Sequence, residues 1–132
     1  MIENQNEAEI DLSESSKNML SEIIEILKDK KDAYKVVPSE RINENEFKMG
    51  YVSYNSRIFD LQKIVGHDYD YNNNFEKIKE KPVENMTKDE VKTYVTYIFR
   101  KDRFCEGFLA GYIDNDILRK LAERYFDLCW AQ

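Results

Sequence analysis

Proline and glycine are scarce in this sequence, with two prolines and four glycines among 132 residues. Their scarcity leaves the backbone few enforced breaks and excludes collagen-like and Pro/Gly-rich low-complexity chains. Hydrophobic residues make up 42% of the chain and charged residues 35%. This balance favours a folded, helix-rich globule over a disordered chain, and the length suits one domain with a continuous core.

Cysteines and long apolar runs are also few. The two cysteines, Cys105 and Cys129, lie 24 residues apart, and the opening Met1-Ile2-Glu3-Asn4 lacks the apolar stretch of a secretory signal. A reducing, cytoplasmic location is therefore expected. The richest apolar window, Met19–Leu27, is shorter than a membrane span and contains two glutamates, so no membrane role is expected.

Basic residues are absent from the first 16 residues, which contain five acidic ones. The rest of the chain has 21 acids and 20 bases, so the net charge of −6 divides into −5 and −1. Because a nucleic-acid mimic or binder needs one sign of charge to dominate a folded surface, a nucleic-acid partner is not expected. The sequence predicts a disordered acidic leader over residues 1–14 and a single helical domain over residues 15–132.

Apolar residues recur with the 3.6-residue period of a helix in four segments. Leu20, Ile23 and Leu27 share a face of the first segment, and Thr87 with Glu90 forms a capping box that starts the third. The predicted helices cover about 15–30, 53–65 and 117–128, together with a third that starts at 87 and either extends or bends up to 107 or 111. They predict an all-α fold, a compact bundle of four to five helices with a long irregular connection at about 32–50.

The connections carry weaker patterns. Pro38 disfavours helix at Val37, so the chain there is predicted to be extended, and the question of a short hairpin within 32–50 stays open. Residues 67–82 include three consecutive asparagines and are predicted to form a surface connection with a local turn.

A histidine-aspartate cluster suggests a metal site, but its spacing is wrong. Asp68, Asp70 and Asn72 match the opening of a calcium loop, whereas Asn73 and Lys79 occupy the positions that require Gly and a bidentate Glu. The cysteines lack the close-spaced pair that is typical of zinc sites. No metal and no cofactor are therefore predicted.

Signals for catalysis are equally weak. A nucleophile and base could be assembled only from a cysteine and His67, and Cys105 on an apolar helical face is typical of inert packing. Gly107 and Gly111 are not followed by the Lys-Ser/Thr of a phosphate-binding loop. No catalytic residue is predicted, and the chain is more typical of a non-enzyme.

One constellation stands out as a candidate ligand site. On a helix, Arg100, Arg103 and Glu106 are spaced by three and line one edge, where two guanidinium groups can clamp a phosphate or carboxylate. Asp70 and Tyr71 complete the candidate set. The alternative is an intramolecular network in which the arginines tie Asp70 or the helix ends to the bundle.

The same block resembles a known family. A Thr-x-Ile/Val-x-Arg-x-Asp/Glu-Arg-Phe-x-Asp/Glu-Gly pattern is matched by Thr96, Ile98, Arg100, Asp102, Arg103, Phe104, Glu106 and Gly107. With Tyr69-Asp70-Tyr71 earlier, it resembles an uncharacterised bacterial family, the domain of unknown function numbered 6508, over about residues 50–126. The resemblance implies a compact helical domain and no established activity.

Three functions compete at this point. Nine tyrosines and Trp130 favour a non-enzymatic interaction module that binds a protein partner or a second copy of itself. The alternative is a binder of an anionic small molecule or nucleotide through Arg100, Arg103 and Glu106. A third hypothesis is a phage- or mobile-element-encoded inhibitor of a host system, with which small size and an acidic leader are compatible.

Overall fold

The computed structural model describes residues 14–130, which form seven α-helices and four short β-strands. The helices are α1 (Glu14–Lys28), α2 (Lys30–Ala33), α3 (Asp60–Val65), α4 (Tyr71–Ile78), α5 (Lys88–Asp102), α6 (Phe108–Asp114) and α7 (Ile117–Trp130). The strands are β1 (Tyr34–Val37), β2 (Glu40–Arg41), β3 (Phe47–Lys48) and β4 (Tyr51–Tyr54), and 3-10 turns cover Ser56–Phe59 and Val83–Asn85. The predicted leader lies outside the described residues except at Glu14, which begins α1. The prediction of a mostly helical, compact fold is confirmed.

Helices α1 and α7 pack along the apolar faces that the sequence predicts. Leu20, Ile23 and Leu27 of α1 are almost completely buried, as are Leu118 and Leu121 of α7. Burying each such side chain stabilises the fold by roughly 1.5–3 kcal/mol. This pair of helices therefore forms one wall of the core.

Helix α5 is the centre of the fold and packs against α3, α4, α6 and α7. The helix start predicted at Thr87 is confirmed: the amide of Glu90 donates to the Thr87 hydroxyl, and the Thr87 amide donates to the Glu90 carboxylate. Val91, Val95 and Ile98 have no exposed surface. A capped helix with an apolar stripe and neighbours on several sides gives α5 a single fixed position.

Two predicted boundaries are wrong because tertiary contacts override local patterns. Helix α5 ends at Asp102, short of the predicted 107 or 111, and of the two predicted courses the chain takes the bend, turning at Gly107 (φ 87°) before α6. The connection predicted over 67–82 contains helix α4, whose Phe75 and Ile78 are buried. The Phe75 ring stacks on Tyr97 at 3.7 Å, which gives α4 a reason to form that its polar sequence does not show. The helices are therefore more numerous and shorter than predicted.

The irregular connection predicted at 32–50 is a β-hairpin, and it continues into a segment that was predicted to be helical. Strand β1 pairs antiparallel with β4, and β2 with β3. Both pairings keep one register, from Tyr34 opposite Tyr54 to Arg41 opposite Phe47, so residues 34–54 form one arm, named the β-arm below. The helix predicted from residue 53 starts later, because Ser53 and Tyr54 belong to β4.

Gly50 explains how the two halves of the β-arm join. A Cβ at this position would lie 2.5 Å from the carbonyl oxygen of Val37 and 2.6 Å from the amide nitrogen of Ser39, both backbone atoms that cannot move aside. The Gly50 amide also donates to the Ser39 hydroxyl at 2.9 Å. Glycine is therefore required at position 50, where the chain lies against the backbone of residues 37–39.

We expect Gly50→Ala to disrupt the β-arm, because the added methyl group collides with the backbone of the opposite strand. Amide hydrogen exchange measured by NMR should become faster across residues 34–54. The matched control is Gly111→Ala in α6, where a Cβ meets nothing within 4 Å and helix propensity favours alanine by about 1 kcal/mol. Unchanged exchange in the β-arm of Gly50→Ala would contradict this account.

Candidate functional site

The loop that follows α3 lies along one face of α5 and is held there by threonines. The Asp68 amide donates to the Thr96 hydroxyl at 3.0 Å, and the Thr93 hydroxyl donates to the Asp68 carboxylate at 2.6 Å. Asn74 of α4 donates to the same carboxylate at 2.9 Å. Asp68 therefore joins α4, α5 and the loop, and this fixes the residues on either side of it.

The carboxyl group of Asp68 is ionised over a wide pH range. Partial burial opposes its ionisation, but hydrogen bonds from Thr93, Asn74 and the Asp70 amide outweigh burial and hold its pKa below the usual range. In the sequence, Asp68 matched the first position of a calcium loop. In the structure, its carboxylate accepts these three hydrogen bonds from the protein itself.

His67 lies immediately before this anchor. Gln62 Nε2 is 3.2 Å from His67 Nδ1, and since the amide group is a donor, Nδ1 accepts and the neutral ring carries its hydrogen on Nε2. Burial and then the positive charges of Arg100 and Arg103 lower the pKa of His67, so the ring is neutral near pH 7. The Tyr69 ring packs against His67 with 4.6 Å between centroids and is itself 90% exposed.

The two candidate arginines project from the end of α5. The Arg100 guanidinium lies over the Tyr71 ring, 5.8 Å from its centroid. Arg103 follows the last helical residue and keeps helical backbone angles (φ −64°, ψ −26°), so the spacing of three along one edge persists. Among residues 14–130 no ion pair involves either arginine, and the Asp70 carboxylate accepts instead from Asn73 at 2.9 Å.

Glu106, the third residue of the predicted row, has a different partner. Its carboxylate accepts from the amide of Val52 in β4 at 3.1 Å. The helix that was expected to place Glu106 beside Arg103 ends at Asp102. The structure thus brings Arg100 together with Tyr71, while Glu106 fastens the base of the β-arm.

Asp102 is the second residue that fastens the β-arm, and no sequence signal pointed to it beyond its place in the family pattern. Its Oδ1 atom accepts from the Tyr54 hydroxyl at 3.1 Å and from the Leu109 amide at 2.9 Å. The Ala110 amide donates to the Tyr54 hydroxyl at 3.2 Å. Burial and the charge of Asp102 raise the pKa of Tyr54, so the phenol stays protonated and remains a donor.

Comparison with known sequences identifies the family of this chain. A family of unknown function, DUF6508, matches residues 12–129. The chain belongs to this family. No curated protein and no solved structure matches the sequence. The activity of this family is unknown, so the function of this DUF6508 domain has to follow from its geometry.

The β-arm of the DUF6508 domain is an exposed apolar surface that the sequence analysis missed. All residues from 38 to 49 are exposed. Its large apolar side chains have the following exposed fractions: Val36 67%, Ile42 55%, Phe47 53%, Met49 71% and Tyr51 49%. The Arg41 guanidinium lies 5.9 Å from the centroid of the Phe47 ring across the hairpin. Short extended segments on either side of Gly50 could have predicted this hairpin from the sequence, but the charged residues between them obscured the pattern.

The two cysteines of the domain differ in their exposure to solvent. Cys105 is exposed in the turn after α5, so its predicted burial on a helical face is wrong. Cys129 is half-buried in α7, and burial raises the pKa of its thiol. Within the described part of the chain, no group of His, Cys, Asp and Glu side chains is arranged to hold a metal ion, and no helix is long and apolar enough to cross a membrane.

A groove of the helical body differs from the arginine surface in its charge. It lies between α1 and α7, has a volume of about 220 Å³, and is lined by Ser21, Ile24, Glu25, Glu123, Phe126 and Asp127. Three of these six residues are acidic. An anionic ligand is therefore better matched by the surface around Arg100 and Arg103 than by this groove.

The Asp68 anchor predicts a pH dependence of stability. Because its pKa is lower in the folded protein than the ordinary value of about 3.9, ionised Asp68 stabilises the fold above about pH 4, and this contribution is lost as the pH falls through the folded pKa. Urea unfolding should show Asp68→Asn less stable than the parent at pH 7, with the difference shrinking below about pH 4.

The control for this measurement is Asp89→Asn, which removes a carboxylate whose side chain is 92% exposed. It should change the parent's stability little at either pH. A constant difference between the parent and Asp68→Asn from pH 7 to pH 3 would show that the Asp68 charge does not stabilise the folded loop.

Proposed function

We propose that this protein is a non-enzymatic protein-interaction module whose β-arm pairs with the β-arm of a second copy. The observation that supports this function best is the location of exposed apolar side chains. Of the eight large hydrophobic residues that are exposed within residues 14–130, five lie on the β-arm. Such a concentration on one projecting element is typical of an interaction surface.

The backbone of the β-arm also suits pairing with another strand. Each of its two sheets has two strands, so within the described residues every strand has an outer edge without a neighbouring strand. Free edges with apolar side chains are the usual templates for strand addition. Pro38 limits the length over which a neighbour can pair, which favours a short, defined contact over open-ended aggregation.

Charge favours a second copy over a strongly acidic or basic partner. The β-arm has three basic residues (Lys35, Arg41, Lys48) and three acidic residues (Glu40, Glu44, Glu46), and so is neutral. In a two-fold antiparallel pairing centred on β2, Glu40 of each copy would lie opposite Arg41 of the other. Opposite charges at facing positions stabilise a strand pair by roughly 0.2–1 kcal/mol each.

The base of the β-arm is joined firmly to the helical body, as suits an element that presents a binding surface to a partner. Tyr54 and Val52 are bonded to Asp102 and Glu106, so the root of the hairpin is joined to the end of the central helix. The rings of Tyr34 and Tyr54 pack at 6.1 Å, and Tyr54 also meets the Phe59 ring at 6.1 Å. A surface on a fixed root loses less conformational entropy on binding than a free loop does.

We expect the protein to form a dimer in size-exclusion chromatography with light scattering, and Phe47→Glu to shift it to the monomer. A buried apolar contact would be replaced by a desolvated charge. The control is Phe104→Glu, which changes a residue that is 84% exposed but lies outside the β-arm, and which should leave the dimer intact. A strictly monomeric parent at high concentration would refute the proposal.

A charge exchange tests the register of the pairing. Arg41→Glu should weaken the dimer, because two glutamates would then face the Glu40 positions of the second copy. The double variant Glu40→Arg with Arg41→Glu should recover it, since opposite charges again lie across the two-fold axis. Failure of the double variant to recover a dimer that Arg41→Glu disrupts would contradict this register.

A further inference from the structure

The end of α5 presents cationic donors without acceptors. Arg100 and Arg103 carry two guanidinium groups on one edge, and among residues 14–130 neither forms an ion pair. The Arg100 guanidinium lies over the face of the Tyr71 ring, with its central carbon 5.8 Å from the ring centroid. Two unpaired planar forks spaced by one helical turn have the geometry for bidentate recognition of a tetrahedral or planar anion.

His67 adds a neutral donor within the electrostatic influence of these charges, since both arginines lower its pKa. Its Nδ1 atom is engaged with Gln62, so the hydrogen on Nε2 is available. The hydrogen bonds of Asp68 to Thr93 and Thr96 hold the neighbouring backbone in place. The donors therefore do not depend on a mobile loop for their position.

Three nearby carboxylates form no ion pair with these arginines. Asp68 is occupied by Thr93 and Asn74, Asp70 accepts from Asn73, and Glu106 accepts from Val52. Each of these acids has a structural partner of its own. The N–H donors of Arg100 and Arg103 are thus left for a group from outside the described chain.

An exposed aromatic ring borders the donors. Tyr69 is 90% exposed although it packs against His67, so one side of its ring faces solvent. A phenol ring in this position offers a flat apolar face for a second aromatic ring, and stacking of a base on such a ring contributes about 1–3 kcal/mol.

We propose that His67, Tyr69, Arg100 and Arg103 form a binding site for a phosphate monoester that carries an aromatic base, in other words a nucleoside monophosphate. The two guanidinium groups and the imidazole Nε2–H bind the phosphate oxygens. The base stacks on the exposed face of Tyr69. The site does not use the β-arm, so it is independent of the proposed dimer.

Phosphate fits these residues better than a carboxylate does. A phosphate monoester carries between one and two negative charges near pH 7 and presents three terminal oxygens, enough for three separate donors. A carboxylate has one charge and two oxygens with about four acceptor positions, which two bidentate guanidinium groups fill without leaving one for the imidazole. The aromatic neighbour then selects a nucleotide over a simple sugar phosphate.

The test is isothermal titration calorimetry of the full chain with adenosine 5′-monophosphate, ribose 5-phosphate, adenosine and inorganic phosphate. Adenosine monophosphate should bind at least about tenfold more tightly than the other three, because only it engages both the cations and the ring. The variant Arg100→Ala with Arg103→Ala should abolish this binding. Tyr69→Ala should reduce the affinity for adenosine monophosphate to that for ribose 5-phosphate.

The matched control is Lys101→Ala, which removes a cation from the same helical turn that lies instead over the Tyr97 ring, 5.9 Å from its centroid. It should leave the affinity within about twofold. If the double alanine variant does not fold, as judged by circular dichroism, Arg100→Lys with Arg103→Lys retains the charge but not the bidentate geometry and should still weaken binding about tenfold.

Three results would overturn the site. They are no heat of binding with any phosphate at millimolar concentration, equal affinity for adenosine monophosphate and ribose 5-phosphate, and unchanged affinity in the arginine variants. Light scattering on the same samples reports the dimer separately, so loss of nucleotide binding and loss of the dimer can be told apart.

Discussion

The carboxylate of Asp102 is the interaction on which most of this structure depends. One oxygen atom accepts from the Tyr54 hydroxyl and from the Leu109 amide, so it joins the end of α5, the beginning of α6 and the base of the β-arm. The group is partly buried, where a donor left without its acceptor costs about 1–3 kcal/mol. Because the Leu109 amide donates to the Asp102 side chain rather than to a helix carbonyl, this carboxylate stabilises the turn between α5 and α6.

The short turn after Asp102 divides neighbouring residues between two surfaces. Glu106 faces the β-arm and accepts from Val52, while Arg103 continues the edge of Arg100. Gly107 permits this turn because its backbone adopts φ 87°, which other residues rarely tolerate. This turn therefore places Glu106 at the base of the β-arm and holds the β-arm there. Glu106 is then no longer positioned to pair with Arg103.

The two surfaces differ in their physical character, which is why we assign them different partners. The β-arm is neutral overall, apolar and open along its edges, so the partner that fits is a strand with complementary charges. The surface around His67 and Arg100 offers donors and one exposed aromatic ring, so its partner is an anion with a flat apolar part. Both surfaces rest on α5, the most completely packed helix of the fold.

The sequence by itself determined the helices whose apolar residues repeat every 3.6 positions, the capping box at Thr87, and the family, because these depend on local pattern. Only the tertiary structure decided the rest. Helix α4 forms because Phe75 stacks on Tyr97. The base of the β-arm forms because β1 and β4, whose paired residues lie 14 to 20 positions apart, come together where Gly50 permits a close backbone contact. Likewise, the sequence showed the spacing of Arg100 and Arg103, but it did not show that Glu106 lies away from them. Glu106 accepts a hydrogen bond from Val52, far away in the sequence, and this bond competes with continuation of the helix. No local sequence pattern indicates the strength of such a long-range bond.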